Sequence, residues 1–303
     1  MKIDWFIIVN PTSGNKNFKK NWKEIQQILK DKNINYSFAL TAYSKHEVAL
    51  VHQAIKKGYT YFISVGGDGT LHHITNGIMT QTIVATTKIT LGVIPLGTGN
   101  DWVKNYNIPQ DFTRNIQIIK QGNTILQDIG FLELENTTRY FNILGGIGYD
   151  AYVVSKLKKL KRFGSIAYLL SGIIGLLSYK KSIFKIEIND KIIKTSCLMT
   201  VFGNCKYTGG GMRLSDYKKT SDGLFDISVF KNFTFFDLII NLKKLYNGTI
   251  IHHKKVTTFK SNKVTVTPLS KNNIPFVQAD GELIGIGKVT TTIKEKALNF
   301  IVP

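Results

Sequence analysis

Four carboxylates in this chain sit beside glycines in ways that suit phosphate chemistry. Asp68 lies in VGGDGTLHHITNG (65–77), Asp101 closes PLGTGND (95–101), and Asp280 and Glu282 flank a glycine in QADGELIG (278–285). Gly66, Gly67 and Gly69 have no Cβ, so the chain around Asp68 can turn tightly and bring backbone N–H groups close to a ligand. The apolar run 61–65 before them reads as a short buried strand, and Leu71, Ile74, Ile78 and Met79 recur at helical spacing after them. Strand, glycine loop and helix N-terminus together offer amides and a positive dipole end to a phosphate. A tight βα turn with no ligand has the same pattern, but it does not explain the aspartate. A carboxylate in such a cradle repels phosphate unless it manages a Mg²⁺ ion or takes a proton. Asp280 and Glu282 share a face if their segment is a strand, and can converge if it turns at Gly281. Asp-Gly is also an ordinary hairpin turn.

Two further loops carry the same character. NPTSG follows the strand pattern WFIIVN and supplies Asn10, Pro11, Thr12, Ser13 and Gly14. PLGTGND follows the strand pattern TLGVIPLG, with Thr98 able to hold a phosphate and Asp101 at a helix start. Three such loops after three strands predict one nucleotide crevice at the strand C-termini of an open α/β sheet. Neither the Walker pattern nor the G-x-G-x-x-G fingerprint is present, so a P-loop ATPase and a usual NAD enzyme are not supported.

The elements that must position these loops alternate over the first 130 or so residues. Strands are predicted at 5–10, 36–41, 61–65 and 90–97, and helices at 21–32, 45–58 and 70–79. After TILQDIGFLEL (124–134) strand-like runs dominate, with helical insertions at 149–160, 163–179 and 233–247. The reading is an α/β fold with a domain over 1–130 and a mostly antiparallel β domain over 131–303, the last segment free to pack back on the first domain.

The 303 residues hold 40 Lys+Arg against 20 Asp+Glu, a formal charge of +20. That field favours anionic partners: nucleotide, nucleic acid or an anionic membrane. The apolar stretch 163–179, flanked by LKKLKR (157–162) and KK (180–181), is barely long enough to span a bilayer. A buried or cleft-lining helix is expected, with docking at a membrane interface second. The N-terminal apolar run is too short for a secretory signal and no cleavage site follows it, so a cytoplasmic location is expected. Cys197 and Cys205 are expected as buried reduced thiols. The adjacent pairs His72-His73 and His252-His253 cannot both face one metal on a helix, and are expected to be solvated or capping.

NPTSG, GGDGT and GTGND, in this order, resemble the diacylglycerol kinase catalytic family, which includes bacterial soluble lipid kinases, sphingosine kinases and ceramide kinases. The resemblance continues through FNILGGIGYDA (141–151), GGGMRLSDYKKTSDGLFD (209–226) and QADGELIG, and so covers nearly the whole chain. Singly, GGDGT is also similar to NAD kinases and phosphofructokinases. The resemblance implies a three-layer α/β nucleotide domain, a C-terminal antiparallel β-sandwich, an active site between them, ATP, Mg²⁺ and a lipid hydroxyl acceptor. By resemblance Thr41 and the run Gly66, Gly67, Asp68, Gly69, Thr70, Leu71 and His72 contact the nucleotide. Glu282 is then the favoured proton acceptor with Asp280 beside it, and Asp68 and Asp101 engage Mg²⁺ directly or through water. It also implies a structural Mg²⁺ held by the Asp222 carboxylate and the carbonyls of Lys219 and Leu224. A lysine often follows the NPxSG glycine in that family; here Asn15 does and Lys16 comes next, which puts a phosphate role for Lys16 in doubt. Peripheral contact with an anionic membrane is expected, no nucleic-acid partner is, and a homodimer stays open. An NAD kinase-like phosphotransferase and a non-catalytic basic lipid- or nucleotide-binding protein are the alternatives.

Overall fold

The structure is a computed structural model that describes residues 3–14, 17–97, 99–157, 179–215, 219–270 and 273–303. Thr98, Lys16 and the stretch 163–179, apart from Tyr179, lie outside the described residues. The chain divides into two compact units: Met1–Asp128 with Glu295–Pro303, and Ile129–Lys294.

The first unit follows the predicted alternation. Strands β1 (Asp4–Val9), β2 (Asn35–Leu40), β3 (Tyr61–Gly66) and β4 (Thr90–Pro95) interleave with helices α1 (Phe18–Asp31), α2 (His46–Lys56) and α3 (Asp68–Thr80). All the pairings are parallel: β2 with β1, β1 with β3, and β3 with β4. Parallel register places every βα loop on the same edge of the sheet, which is what brings the glycine loops together. Strand side chains alternate between two apolar faces. Trp5, Ile7 and Val9 pack with Trp22, Ile25 and Leu29 of α1 and with Ile116 and Ile119 of α5 (Phe112–Gln121). Helices α2 and α3 pack together; a Cβ on Gly77 would sit 2.8 Å from that of Val51. The unit is therefore a three-layer α/β structure.

The second unit is antiparallel, as the strand-like runs predict. Its strands include the second half of β5 (Thr124–Leu134), then β6 (Thr137–Phe141), β7 (Leu144–Gly148), β8 (Ser182–Ile188), β9 (Lys191–Gly203) and β10 (Phe225–Lys231). They continue as β11 (Val256–Ser261), β12 (Lys263–Pro268), β13 (Phe276–Ala279) and β14 (Glu282–Ile286). β9 pairs with β7, β8 and β10, and β13 pairs with β7 and β14. Phe141, Phe184, Phe202 and Phe225 lie in its core. Cys197 and Cys205 are free and buried.

Two features depart from the sequence reading. The predicted helix at 233–247 is broken at Asn241 into α7 (Phe235–Ile240) and α8 (Leu242–Asn247). The Asn241 amide donates to the Asp237 carbonyl at 2.7 Å, a local bond that competes with helix continuation. The strand-like runs KVTTTI (288–293) and ALNFIV (297–302), separate in the sequence, join into one strand, β15 (Val289–Ile301), with Lys296 at φ +45°. Its first half pairs antiparallel with β12, and its second half pairs parallel with β4 at Asn299↔Thr90 and Phe300↔Leu91. Phe300 is fully buried, 4.7 Å from the Trp102 ring. Phe300→Ala should cost about 3–5 kcal/mol in urea unfolding. A loss under about 1 kcal/mol would mean that the C-terminal strand does not anchor this unit.

Candidate active site

The strand-end loops of the first unit are held by short, specific bonds. After β1, the Asn10 amide N–H donates to the β3 carbonyl of Val65 at 2.9 Å. The Asn10 side-chain oxygen accepts from the Thr12 N–H and hydroxyl at 3.0 and 2.8 Å, and its Nδ2 donates to Thr70 Oγ1 at 3.1 Å. Gly14 has φ +82°, and a Cβ there would lie 2.7 Å from the Leu96 carbonyl oxygen. Pro11 and Ser13 complete this turn, with the Ser13 N–H on the Asn10 carbonyl. After β2, the Thr41 N–H donates to the Val9 carbonyl at 2.9 Å, so Thr41 stands at the same edge.

The loop after β3 and the loop after β4 touch backbone to backbone. A Cβ on Gly97 would fall 2.7 Å from the Gly67 Cα, and a Cβ on Gly66 would fall 2.3 Å from Thr70 Oγ1. Gly69 instead faces open space. It lies in the first turn of α3, where amides point out of the helix end toward any bound anion. Asp68 opens α3, and its carboxylate reaches across. Oδ2 accepts from the Asp101 N–H at 3.0 Å and Oδ1 from the Trp102 N–H at 3.3 Å, at the start of α4 (Asp101–Asn105). Asp101 is buried, and its Oδ1 lies 3.4 Å from Lys104 Nζ. With Asp68 bonded to two amides and Asp101 beside an ammonium, a hard cation here would be met through water. Asn100, which the sequence reading passed over, has φ +51° and donates to the Gly97 carbonyl at 2.6 Å. Its place before the helix start in GTGND was the available signal.

Leu71 and His72 are different. Both are buried inside α3, and His72 has no exposed surface. The expectation of solvated or capping histidines is overturned for this pair, since His73 is buried too and the two rings meet edge-on at 5.1 Å. Leu71 already uses its N–H on the Gly67 carbonyl. Neither side chain offers a route to a nucleotide.

In the second unit, Asp280-Gly281 forms the hairpin turn between β13 and β14, with φ +49° and +77°. Positive φ at both central residues is the type I′ pattern. The option of a straight strand that puts Asp280 and Glu282 on one face therefore fails. Asp280 is not a solvated turn residue either. Its Oδ2 accepts from the Asn142 N–H at 2.8 Å, and its Oδ1 from the Ile143 and Leu144 N–H groups at 2.8 and 3.1 Å. Glu282 follows at the start of β14, part-exposed, its carboxylate without a hydrogen-bond or ion-pair partner among the described residues.

A second brace holds this turn and was not foreseen. The Gly281 N–H donates to Gln278 Oε1 at 2.9 Å, and Gln278 Nε2 donates to Asp150 Oδ2 at 3.0 Å. Asp150 begins α6 (Tyr149–Leu157), directly after the glycine strand β7, and a Cβ on Gly146 would fall on its Oδ2. Burial pushes the Asp150 carboxyl up to about 6, although the bond from Gln278 pulls the other way. Burial, and then the negative Asp150, push the Tyr179 hydroxyl up as well. GGIGYDA was legible as a motif, but a carboxylate placed behind glycines gave no sign of its partner 128 residues on.

The segment tied to a structural metal holds a built-in cation instead. Asp222 Oδ1 accepts from the Leu224 N–H at 3.3 Å, and Oδ2 lies 3.4 Å from Lys260 Nζ, which also stands 3.5 Å from Asp226. Lys219 is exposed. Among the described residues no group of three or more His, Cys, Asp or Glu could hold a metal. One carboxylate, with both oxygens engaged and an ammonium beside it, does not fit a Mg²⁺ cage, and no role is derived for an ion there.

A parallel α/β unit with glycine loops at its strand ends, followed by an antiparallel β unit with a carboxylate on a braced turn, has the build of a two-domain phosphotransferase. Residues 4–132 match the model of the diacylglycerol kinase catalytic domain, and residues 145–302, over half the chain, match that of the YegS C-terminal NAD kinase beta sandwich-like domain. The chain belongs to the diacylglycerol kinase catalytic family and is an enzyme of the lipid-kinase class. It is 29% identical to YtlR of Bacillus subtilis (strain 168) over 298 residues, covering 93% of this chain and 94% of that one. It is 28% identical to the diacylglycerol kinase of the same organism over 291 residues, covering 92% and 90%. A crystal structure of a Bacillus anthracis str. Sterne protein shares the fold with a TM-score of 0.80 at 21% identity, covering 100% of this chain and 97% of that one.

Two expectations follow from these contacts. Asp150 titrates near 6 in the folded protein against an ordinary value of 3.8, so the stability it lends is present below about 3.8 and lost as pH rises through about 6. Asp150→Asn still accepts from Gln278 and carries no charge. It should raise the Tm above pH 6 relative to the parent chain, with the gain vanishing below pH 4; an equal change at both ends would contradict a buried titrating carboxyl. Separately, Asp222→Ala should change the Tm equally with Mg²⁺ and with a chelator, because a carboxylate spent on Lys260 has no ion to lose and so no mass-action stabilisation. A loss seen only with Mg²⁺ would restore the metal at Asp222.

Proposed function

We propose that this chain transfers the γ-phosphate of ATP to the hydroxyl of a diacylglycerol-like or sphingoid lipid, working peripherally at an anionic membrane surface. The single observation that carries the residue assignment is the commitment of Asp280. Three backbone N–H groups occupy both of its oxygens, so it holds the turn while Glu282 keeps its carboxylate for chemistry. Glu282 takes the proton of the attacking hydroxyl. The loops at Asn10–Gly14, Gly66–Thr70 and Leu96–Asp101 hold the phosphates through amides and short side chains. Thr41 contacts the nucleotide from the end of β2. Asp68 and Asp101 would hold Mg²⁺ through water, and that ion would neutralise charge on the transferring phosphoryl group. Asp68 also keeps two loops in place, so its loss should damage binding as well as turnover.

The test is radiolabelled ATP with mixed lipid micelles containing diacylglycerol and, in a separate arm, with NAD. Label in the lipid supports the reading; label in NAD alone assigns the chain to the NAD kinase-like alternative. Glu282→Gln keeps the side-chain shape and removes the proton acceptor, so kcat should fall by about 10²–10⁴ with ATP affinity nearly unchanged. Asp280→Asn should lower the Tm along with activity, since it disturbs the clamp. If Glu282→Gln keeps near-normal turnover while Asp68→Asn abolishes it, the base is Asp68.

A further inference from the structure

The excursion between β10 and β11 carries an exposed apolar face. Strands β10 and β11 pair antiparallel up to Phe230↔Val256, Lys231 still pairs with β9, and residues 232–255 leave the sheet as the α7–α8 hairpin. Its inner side is firmly seated. Phe233 is buried against Phe230 and His253, Leu245 and Ile250 are buried, and the Arg213 N–H donates to the Leu245 carbonyl at 2.7 Å. A capping box at Thr234 and Asp237 starts α7. Desolvation alone would raise the Asp237 pKa, but hydrogen bonds from Lys255 and Thr234 outweigh it and hold the carboxyl well below the usual range.

The outer side is apolar. Phe236 is 71% exposed and Ile240 76%, with Ile239 and Tyr246 exposed beside them. Phe236, Ile239 and Ile240 follow i, i+3, i+4 spacing, one side of α7, and the exposed Lys243 and Lys244 follow in α8. Exposed apolar side chains grouped in this way on a protein surface mark an interaction site. The surrounding charge selects the partner. Residues 231–255 hold five lysines, at 231, 243, 244, 254 and 255, against a single aspartate, and that aspartate is tied to Lys255. An apolar stripe edged by lysines, with its carboxylate already neutralised, is complementary to an anionic bilayer, where apolar groups enter the acyl boundary and ammonium groups meet the headgroups. Among the described residues no helix is long and apolar enough to cross a membrane.

We infer that the outer face of the α7–α8 hairpin is the surface by which this protein docks on an anionic lipid bilayer. The inference rests on the lipid-kinase reading for the reason a bilayer is visited.

The experiment uses the full chain and flotation with vesicles of phosphatidylcholine alone or with 20 mol% phosphatidylserine. The parent chain should bind the anionic vesicles, lose binding as salt rises, and bind neutral vesicles at least tenfold more weakly. Phe236→Glu/Ile240→Glu and, separately, Lys243→Glu/Lys244→Glu should each reduce anionic binding tenfold or more. If the apolar pair fails to fold, the lysine pair, on exposed side chains, decides alone. Turnover of a monomeric short-chain diacylglycerol, which needs no bilayer, should be unchanged in both. Retained vesicle binding in the variants overturns the inference. So does a parent dimer, seen by sedimentation, that the same substitutions dissociate, because the face would then bind a second copy. No turnover of the monomeric lipid by the parent chain, with vesicle binding still lost in the variants, would sink the kinase reading and leave the docking surface standing.

Discussion

The Asp68 carboxylate, bonded to the N–H groups of Asp101 and Trp102, is the tie on which the arrangement of the first unit's glycine loops depends. Asp68 opens α3 and the two amides open α4, so one side chain fixes the helix starts that follow two different strands. Charge-assisted bonds from a carboxylate to helix-end amides are among the stronger hydrogen bonds, and the positive end of α4 adds to them. The backbones of Gly67 and Gly97 approach too closely for any side chain, and this closeness brings the carboxylate within reach. The aspartate among the glycines is thus structural before it is chemical, and the glycines serve the loop-to-loop contact as much as a phosphate.

The second unit repeats the device with different parts. Asp280 caps three successive amides of the segment between β6 and β7, and Gln278 links the same turn to the buried Asp150. A tight turn with both central residues at positive φ would ordinarily be a mobile, solvated feature. Here it is bonded on two sides, so the residue that follows it starts from a fixed backbone. That is the preorganisation expected where a proton must be taken from a positioned hydroxyl. The two carboxylates of DGE, equivalent by residue type, are divided by the turn into a clamp and a part-exposed group to which the proposed reaction gives the proton.

Much of this was legible in the sequence because it rests on local pattern. The alternation of apolar runs gave the parallel sheet, and Gly66, Gly67 and Gly97 marked loops where the backbone comes close. Asp280-Gly281 announced a turn. What escaped the sequence depends on contacts between distant residues. Nothing near Asp222 signalled Lys260, 38 positions away, as its counter-charge. Asp150 and Gln278 are further apart still. His72 and His73 read as polar, but their helix is enclosed by the sheet and α2, and burial overrode residue type. The break at Asn241 came from one side-chain bond to a backbone carbonyl, which no periodicity records. The two apolar runs at the C-terminus looked like separate strands because Lys296 interrupts them, whereas its N–H is bonded to the buried Asp128 and the strand runs through.

That through-running strand has a consequence for how the chain is made. The second half of β15 pairs with β4, yet the two are separated in the chain by the whole second unit. Domains usually fold in the order in which they leave the ribosome, at roughly 5–20 residues per second. The N-terminal unit cannot follow that rule. When its own helices and strands have emerged, β4 still presents an open edge, and the missing strand arrives only after a delay on the order of ten seconds. An unpaired, apolar strand edge is a template for wrong partners. The nascent chain therefore passes through an interval in which the parallel unit has emerged while its β4 edge is still unpaired. A cell short of chaperone capacity would find this protein vulnerable during synthesis, well before any question of its native stability arises.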